Sequence, residues 1–175
     1  MNLSTRFLII ALISLSLAAC QNTASLSDVE KRARIESMYQ GYRDDFPGIT
    51  EVSPADIAED YRNDKLVIVD VRSPEEQAVS MIPGALTQAQ FESQRAAGTL
   101  DDKPIVVHCT IGYRSGVYVY KLRSQGIPTQ NLKGSILLWT HEGLPLETPE
   151  GTPTQKVHTY GKQWDLVAEG YESVW

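Results

Sequence analysis

The sequence is poor in the residues that make sites by number. It holds two cysteines, Cys20 and Cys109, and three scattered histidines, His108, His141 and His158. No Cys/His group has metal-ligand spacing and Cys109 has no cysteine neighbour, so neither a metal site nor a disulfide framework is expected, and no cofactor is called for. Basic charge is also short: 16 Lys and Arg stand against 22 Asp and Glu, a formal net charge of -6. That balance argues against nucleic acid or anionic lipid as the main partner. The most apolar stretch, residues 7–17, is too short to span a bilayer as a helix. No internal repeat or low-complexity block appears. Length and composition otherwise suit one globular domain with modest extensions.

What is present begins with a leader. Arg6 supplies a positive start, an apolar run follows, and Leu17-Ala18-Ala19-Cys20 ends in small residues before a cysteine. This tetrad resembles the bacterial lipobox, in which cleavage leaves the cysteine as a lipid-modified N-terminus; a plain secretory peptide with an incidental cysteine is the alternative. Gln21 stands where an aspartate would signal inner-membrane retention, so the resemblance implies an envelope protein anchored at Cys20, on the outer membrane and facing the periplasm. Loss of residues 1–19 removes Arg6 and no acid, moving the formal charge from -6 to -7. With Cys20 acylated, Cys109 is the remaining thiol, and its chemistry then needs an external sulfur partner.

Residues 20–26 read as a tether, and 27–48 as a helical extension. Ser27-Asp28-Val29-Glu30 has capping-box form, and the helix it starts is expected to bury Val29, Ala33, Ile35, Met38, Tyr39 and Tyr42. The domain proper is expected over residues 49–146. Its strands are Ile49–Val52, Leu66–Val71, Ile105–His108 and Thr129–Leu132. Helices are expected after Ser53-Pro54-Ala55-Asp56, after Thr87-Gln88-Ala89-Gln90 to about Ala97, and across Val117–Leu122, the last packed by Val117, Tyr120 and Val119. Strands alternating with helices imply an α/β fold around a mainly parallel sheet, with ligands beyond the carboxyl ends of its strands. After Pro145, ETPEGTPTQ reads as loop. The rest of the 147–175 extension is too aromatic for a disordered end and is expected to wrap the domain surface, with a partner-binding or dimerising edge as the other assignment.

The chain is organised around PIVVHCTIGYRSGVYVYKL, residues 104–122. A strand that turns sharply into a helix aims several backbone N–H groups, and the positive end of the helix dipole, at one point. Cys109 sits at that point, where thiolate is favoured and the thiol pKa falls below the roughly 8.5 of free cysteine. Gly112 supplies backbone freedom for the curl.

At these residues the sequence resembles the rhodanese family of sulfurtransferases, whose loop has the form Cys-x-x-Gly-x-Arg. Cys109, Gly112, Arg114 and Ser115 fill it here. LVIVDVRSPEEQAVSMIPGAL, residues 66–86, resembles the family's upstream signature, and NLKGSILLWTHEGLP, residues 131–145, its closing one. The sequence departs from the pattern at Val79-Ser80-Met81, where Gly-His is common, and at Ser135, where a second glycine is usual. The resemblance implies a three-layer α/β fold with about five strands. It also implies a nucleophilic Cys109 that takes sulfane sulfur as a persulfide from a small donor, thiosulfate or a persulfide, and yields it to a thiol or cyanide-like acceptor.

By the same resemblance, Thr110, Ile111, Gly112, Tyr113, Arg114 and Ser115 form the active-site loop. Arg114 either meets an anionic donor or bonds back to brace the loop. Ser115 is expected to cap the following helix. Ile111 and Tyr113 make the wall less cationic than one built for small anions. Asp70 and Arg72 are expected to support the loop rather than touch substrate, His108 to pack beneath the sheet end because adjacent strand residues face opposite ways, and Trp139 to be core or site wall. Two rivals remain. One is a cysteine-dependent phosphatase or arsenate reductase, whose loops are one residue longer than the four that separate Cys109 from Arg114. The other is a thiol sensor or binding module without turnover. The sequence leaves a protein partner open.

Overall fold

The computed structural model describes residues 26–175; the expected leader, Cys20 and nearly all of the tether lie outside the described residues. Five parallel strands form the central sheet in the order β1-β5-β4-β2-β3: Thr50–Val52, Thr129–Leu132, Ile105–His108, Val67–Asp70 and Leu86–Thr87. In β2 and β4 every residue is buried, as a run of Val and Ile with no polar alternation requires of a strand covered on both faces. Side-chain alternation splits the core in two. Ile68, Val106 and Leu132 pack under α1 (Asp28–Arg43), α2 (Pro54–Arg62) and α6 (Ser135–His141). Val67, Val69, Ile105 and Val107 pack against Phe91 of α4 (Gln88–Ala97) and Tyr118, Val119 and Leu122 of α5 (Tyr113–Ser124).

Local chemistry starts four of the helices in the same way. Ser27, Ser53, Ser73 and Thr87 each accept from the N–H of the residue three on, whose own side chain bonds back. The box at Ser73 starts α3 (Pro74–Val79), a helix absent from the sequence expectation although Ser73-Pro74-Glu75-Glu76 repeats the pattern of Ser53-Pro54-Ala55-Asp56.

Several expected faces are corrected. In α1, Ile35 and Tyr39 are buried, but Val29 is 79% exposed and Ala33 also faces solvent, because both lie off the face of the helix that carries Ile35 and Tyr39. In α5, Val117 and Tyr120 are exposed while Tyr118, Val119 and Leu122 fill the core. The helix begins at Tyr113, earlier than expected, and its phase is set by the loop it leaves. The stretch read as loop after Pro145 holds a small hairpin, β6 (Leu146–Glu147) with β7 (Pro153–Thr154), whose Glu147 bridges Met81.

The rest of the tail pairs β8 (Lys156–His158) with β9 (Glu172–Val174) and buries Val157, Leu166 and Val167 against the domain. Specific bonds tie it down. Lys31 Nζ donates to Val167 O at 2.9 Å, the Ala168 N–H to Thr140 Oγ1 at 3.0 Å, and Tyr171 OH to Leu144 O at 2.8 Å.

Candidate active site

Cys109 leaves β4 at the carboxyl edge of the sheet, and the chain turns through Thr110, Ile111 and Gly112 into α5. Gly112 has φ +119, and a Cβ there would fall inside the ring of Tyr39. That backbone conformation and that close approach both demand glycine. Tyr39 is itself held by its hydroxyl, which donates to Glu51 Oε1 at 2.6 Å. Asn131 Nδ2 reaches Gly112 O at 2.9 Å and the Tyr39 hydroxyl at 3.2 Å. The N-terminal helix therefore presses the loop into shape.

Around the sulfur, the Gly112 N–H donates to Cys109 Sγ at 3.1 Å and Ser115 Oγ–H at 3.5 Å. Ser115 is not a helix cap, as expected from sequence; Gly112 occupies the cap position and the Ser115 hydroxyl turns to the sulfur. Burial opposes ionisation of Cys109. The Ser115 hydroxyl and N–H, the charge of Arg114 and the Gly112 N–H outweigh it, and the thiol pKa falls below its ordinary value.

The Cys109 N–H points elsewhere. It donates to Ser135 Oγ at 3.1 Å, and Ser135 Oγ donates to Leu132 O at 3.1 Å. Ser135 has φ +48, a left-handed conformation that glycine adopts more cheaply. A serine at this position thus brings a hydroxyl to the back of Cys109, at a backbone cost. Ser135→Ala leaves the buried Cys109 N–H without an acceptor and is expected to destabilise the protein by about 1–3 kcal/mol, read from its denaturant midpoint.

Arg114 bonds back. Its NH1 meets Glu76 Oε2 at 2.6 Å and its NH2 meets Glu76 Oε1 at 2.7 Å and Thr110 Oγ1 at 2.9 Å. Thr110 Oγ1 also donates to Glu76 Oε1 at 3.0 Å, and Glu76 Oε2 accepts from the Ser73 N–H at 2.9 Å. Burial opposes the Glu76 carboxylate, but the bonds from Arg114, Ser73 and Thr110 hold its pKa at about 2. Glu76 was not among the sequence candidates. Its capping box was the available signal for its position, though not for its partner.

Asp70 and Arg72 lie behind the loop, fully or nearly buried, and do not line the cleft. Arg72 NH2 donates to Asp70 Oδ2 at 2.7 Å and to Ser80 O at 2.6 Å, so the pair ties the end of β2 to the segment after α3. His108 is also fully buried. Its Nδ1 lies 3.2 Å from Cys109 O and its Nε2 3.6 Å from Asp70 Oδ2, away from the sulfur. Burial keeps the His108 pKa below its ordinary value. Trp139 is core: its Nε1 donates to Pro145 O at 3.0 Å and its ring meets Tyr61 edge-on.

The cleft over Cys109 has a volume of about 270 Å³ and is lined by Thr110, Ile111, Tyr113 and Arg114 from the loop, with Tyr42, Tyr160 and Trp164 from the two extensions. The last three were not identified from sequence. They are far from the loop in the chain, and no local pattern marks them as neighbours of Cys109.

Fold and site together define an α/β protein with a central parallel sheet and a buried thiol of lowered pKa at a strand-to-helix turn. The model of the rhodanese-like domain matches residues 53–142, and the chain belongs to that family. A sulfurtransferase of Allochromatium vinosum is 36% identical over 88 residues, which span 49% of this chain and 82% of that one. A Bacillus subtilis protein provisionally named a sulfurtransferase is 36% identical over 99 residues, 55% of this chain and 96% of the relative. The crystal structure of a thiosulfate sulfurtransferase from Pseudomonas aeruginosa superposes with a TM-score of 0.52 at 21% identity, covering 72% of this chain and 24% of that one, a likeness of fold. Tyr42, Tyr160 and Trp164 all fall outside the matched residues.

Proposed function

We propose that the protein is a sulfurtransferase that carries sulfane sulfur as a persulfide on Cys109. The observation that carries this reading is the Gly112 N–H at 3.1 Å from Cys109 Sγ, supported by the Ser115 hydroxyl at 3.5 Å. Donors placed around the sulfur favour the thiolate that attacks and the anionic persulfide that follows. The sulfurtransferase relatives support the same chemistry. A small donor, thiosulfate or a persulfide, loads Cys109, and a thiol or cyanide-like acceptor unloads it. A phosphatase reading lacks support here, because both terminal nitrogens of Arg114 are engaged by Glu76.

The test is mass spectrometry of the full chain after incubation with thiosulfate and, separately, with a small persulfide. A gain of about 32 mass units, one sulfur atom, is expected on the fragment containing Cys109, lost on adding cyanide or a thiol and prevented by prior alkylation. Repeated turnover separates a sulfurtransferase from a thiol sensor, which gives one stoichiometric modification.

The proposal includes an envelope setting. Lipid on Cys20 anchors the acidic domain at the outer membrane, facing the periplasm. Wild-type protein is expected to take up labelled palmitate and sediment with membranes, and Cys20→Ala to do neither.

A further inference from the structure

Beyond the Gly112 N–H and the Ser115 hydroxyl, which face the sulfur, the polar side chains beside Cys109 are committed to one another. Among the described residues that line the cleft, Arg114 is the one cation, and it is paired at both terminal nitrogens with Glu76. The ring of Tyr160 lies over its guanidinium carbon, 5.6 Å from the ring centroid. The Thr110 hydroxyl donates to Glu76 and the Cys109 N–H to Ser135. A thiolate, a carboxylate and one guanidinium leave the cleft with no surplus positive charge. A dianion entering it loses hydration and meets the thiolate without a compensating cation.

The remaining wall is aromatic, and it is built with evident constraint. Tyr42, in the last turn of α1, meets the Tyr113 ring edge-on at 5.4 Å, and Phe46 backs Tyr113 from behind at 5.4 Å. Across the cleft, Trp164 stands in the short 3-10 turn Lys162–Trp164, and Tyr160 is held at φ +70 although it is not glycine. Tyr160 is 67% exposed, so core packing does not explain that strained conformation. Both extensions thus bring rings to the mouth of a site whose nucleophile lies at its floor.

We infer that the donor taken by this cleft is a low-molecular-weight organic persulfide with an uncharged aromatic or aliphatic body, seated against Tyr42, Tyr113, Tyr160 and Trp164, in preference to an inorganic dianion. This deepens the sulfurtransferase reading and rests on it. The Cys109 thiolate attacks the outer sulfur of R–S–SH. A bond forms between Cys109 Sγ and that sulfur, the donor's own S–S bond breaks, and R–S⁻ departs with the electron pair. The proton stays on the transferred sulfur, and no oxidant or reductant is consumed. The aromatic wall holds the apolar body R and makes favourable contacts with its sulfur.

The test compares three donors on the full chain: benzyl persulfide released in situ, glutathione persulfide, whose body is charged, and thiosulfate. The rate of sulfur gain at Cys109 is followed by quenched-flow mass spectrometry. Benzyl persulfide is expected to load about tenfold faster than either of the others, and Trp164→Ala and Tyr160→Ala to slow it about three- to tenfold and to lower the ratio of benzyl persulfide to thiosulfate loading rates at least about threefold. Tyr160 is exposed, so its truncation leaves the core intact even where the Trp164 variant folds poorly. If thiosulfate or glutathione persulfide loads as fast as benzyl persulfide, or if Tyr160→Ala leaves the benzyl rate and the donor ratio unchanged, the inference is overturned and the sulfur-carrier reading stands. If none of the donors adds sulfur while Cys109 still alkylates, the sulfur-carrier reading itself falls, and the inference with it.

Discussion

Cys109→Ser is expected to lower sulfur transfer by about 10⁴-fold or more while leaving the fold in place. The substituted oxygen keeps the donors around it, the Gly112 N–H and the Ser115 hydroxyl, so the loop retains its internal bonds. What is lost is ionisation. A thiol in this cradle is brought below its ordinary pKa, whereas a serine hydroxyl remains protonated at any working pH and attacks sulfur poorly. The melting temperature should move by no more than about 4 °C, since the change is isosteric and adds one buried hydroxyl that has partners. Sulfur gain by mass and turnover with an acceptor are the two readouts. Turnover that survived the substitution would place the nucleophile elsewhere and end the proposed mechanism. The same depressed pKa predicts that alkylation of wild-type Cys109 stays fast below the pH at which an ordinary thiol slows, because the reactive form is the thiolate.

Glu76→Ala is expected to be the most damaging single change away from the sulfur, costing about 3–5 kcal/mol. Glu76 is 2% exposed and accepts bonds from Arg114, Thr110 and Ser73; its removal leaves a guanidinium, a hydroxyl and a backbone N–H without their partner. Arg114 and Thr110 flank the Cys109 turn, so sulfur loading should fall together with stability. Glu76→Gln keeps the shape and removes the charge, and it isolates the pH dependence. The wild-type carboxyl is held at about 2 against an ordinary 4.5. A group depressed on folding stabilises above its unfolded pKa and loses that contribution as pH falls through its folded pKa. The stabilisation is therefore whole above about pH 5 and is lost between there and about pH 2. Its size is at most about 3 kcal/mol, because the Arg114 side chain is partly solvated and water screens the pair. Urea unfolding across that range should show wild type converging on Glu76→Gln as the pH falls. Parallel curves would mean that the ion pair contributes nothing beyond its shape.

Much of the fold is written locally. The all-apolar Val67–Val69 and Ile105–Val107 runs mark strands buried on both faces, and Ser27, Ser53 and Thr87 announce helix starts by contacts that span three residues. Faces of helices are less local. Val117 and Tyr120 have the same apolar character as Tyr118 and Val119, and α5 chooses between them through the direction in which the Cys109–Gly112 turn releases it, a property of the packed loop. The C-terminal extension lies against α1 and α6, held by bonds to Lys31, Thr140 and His141. Which of its aromatics reach the cleft was not legible, because the answer depends on the left-handed turn at Tyr160.

The sequence by itself determined the place of the thiol at a strand-to-helix turn, the glycine that lets the chain curl around it, and the family to which the curl belongs, since each is set within a few residues of Cys109. The tertiary structure decided what that thiol faces. Arg114 and Glu76 are 38 positions apart, and Tyr42 and Trp164 enter from opposite ends of the chain. Whether a loop cation is offered to a substrate or neutralised in place, and whether a cleft is walled by charge or by rings, follows from contacts that form after the sheet has brought distant segments together. Local pattern does not encode those contacts.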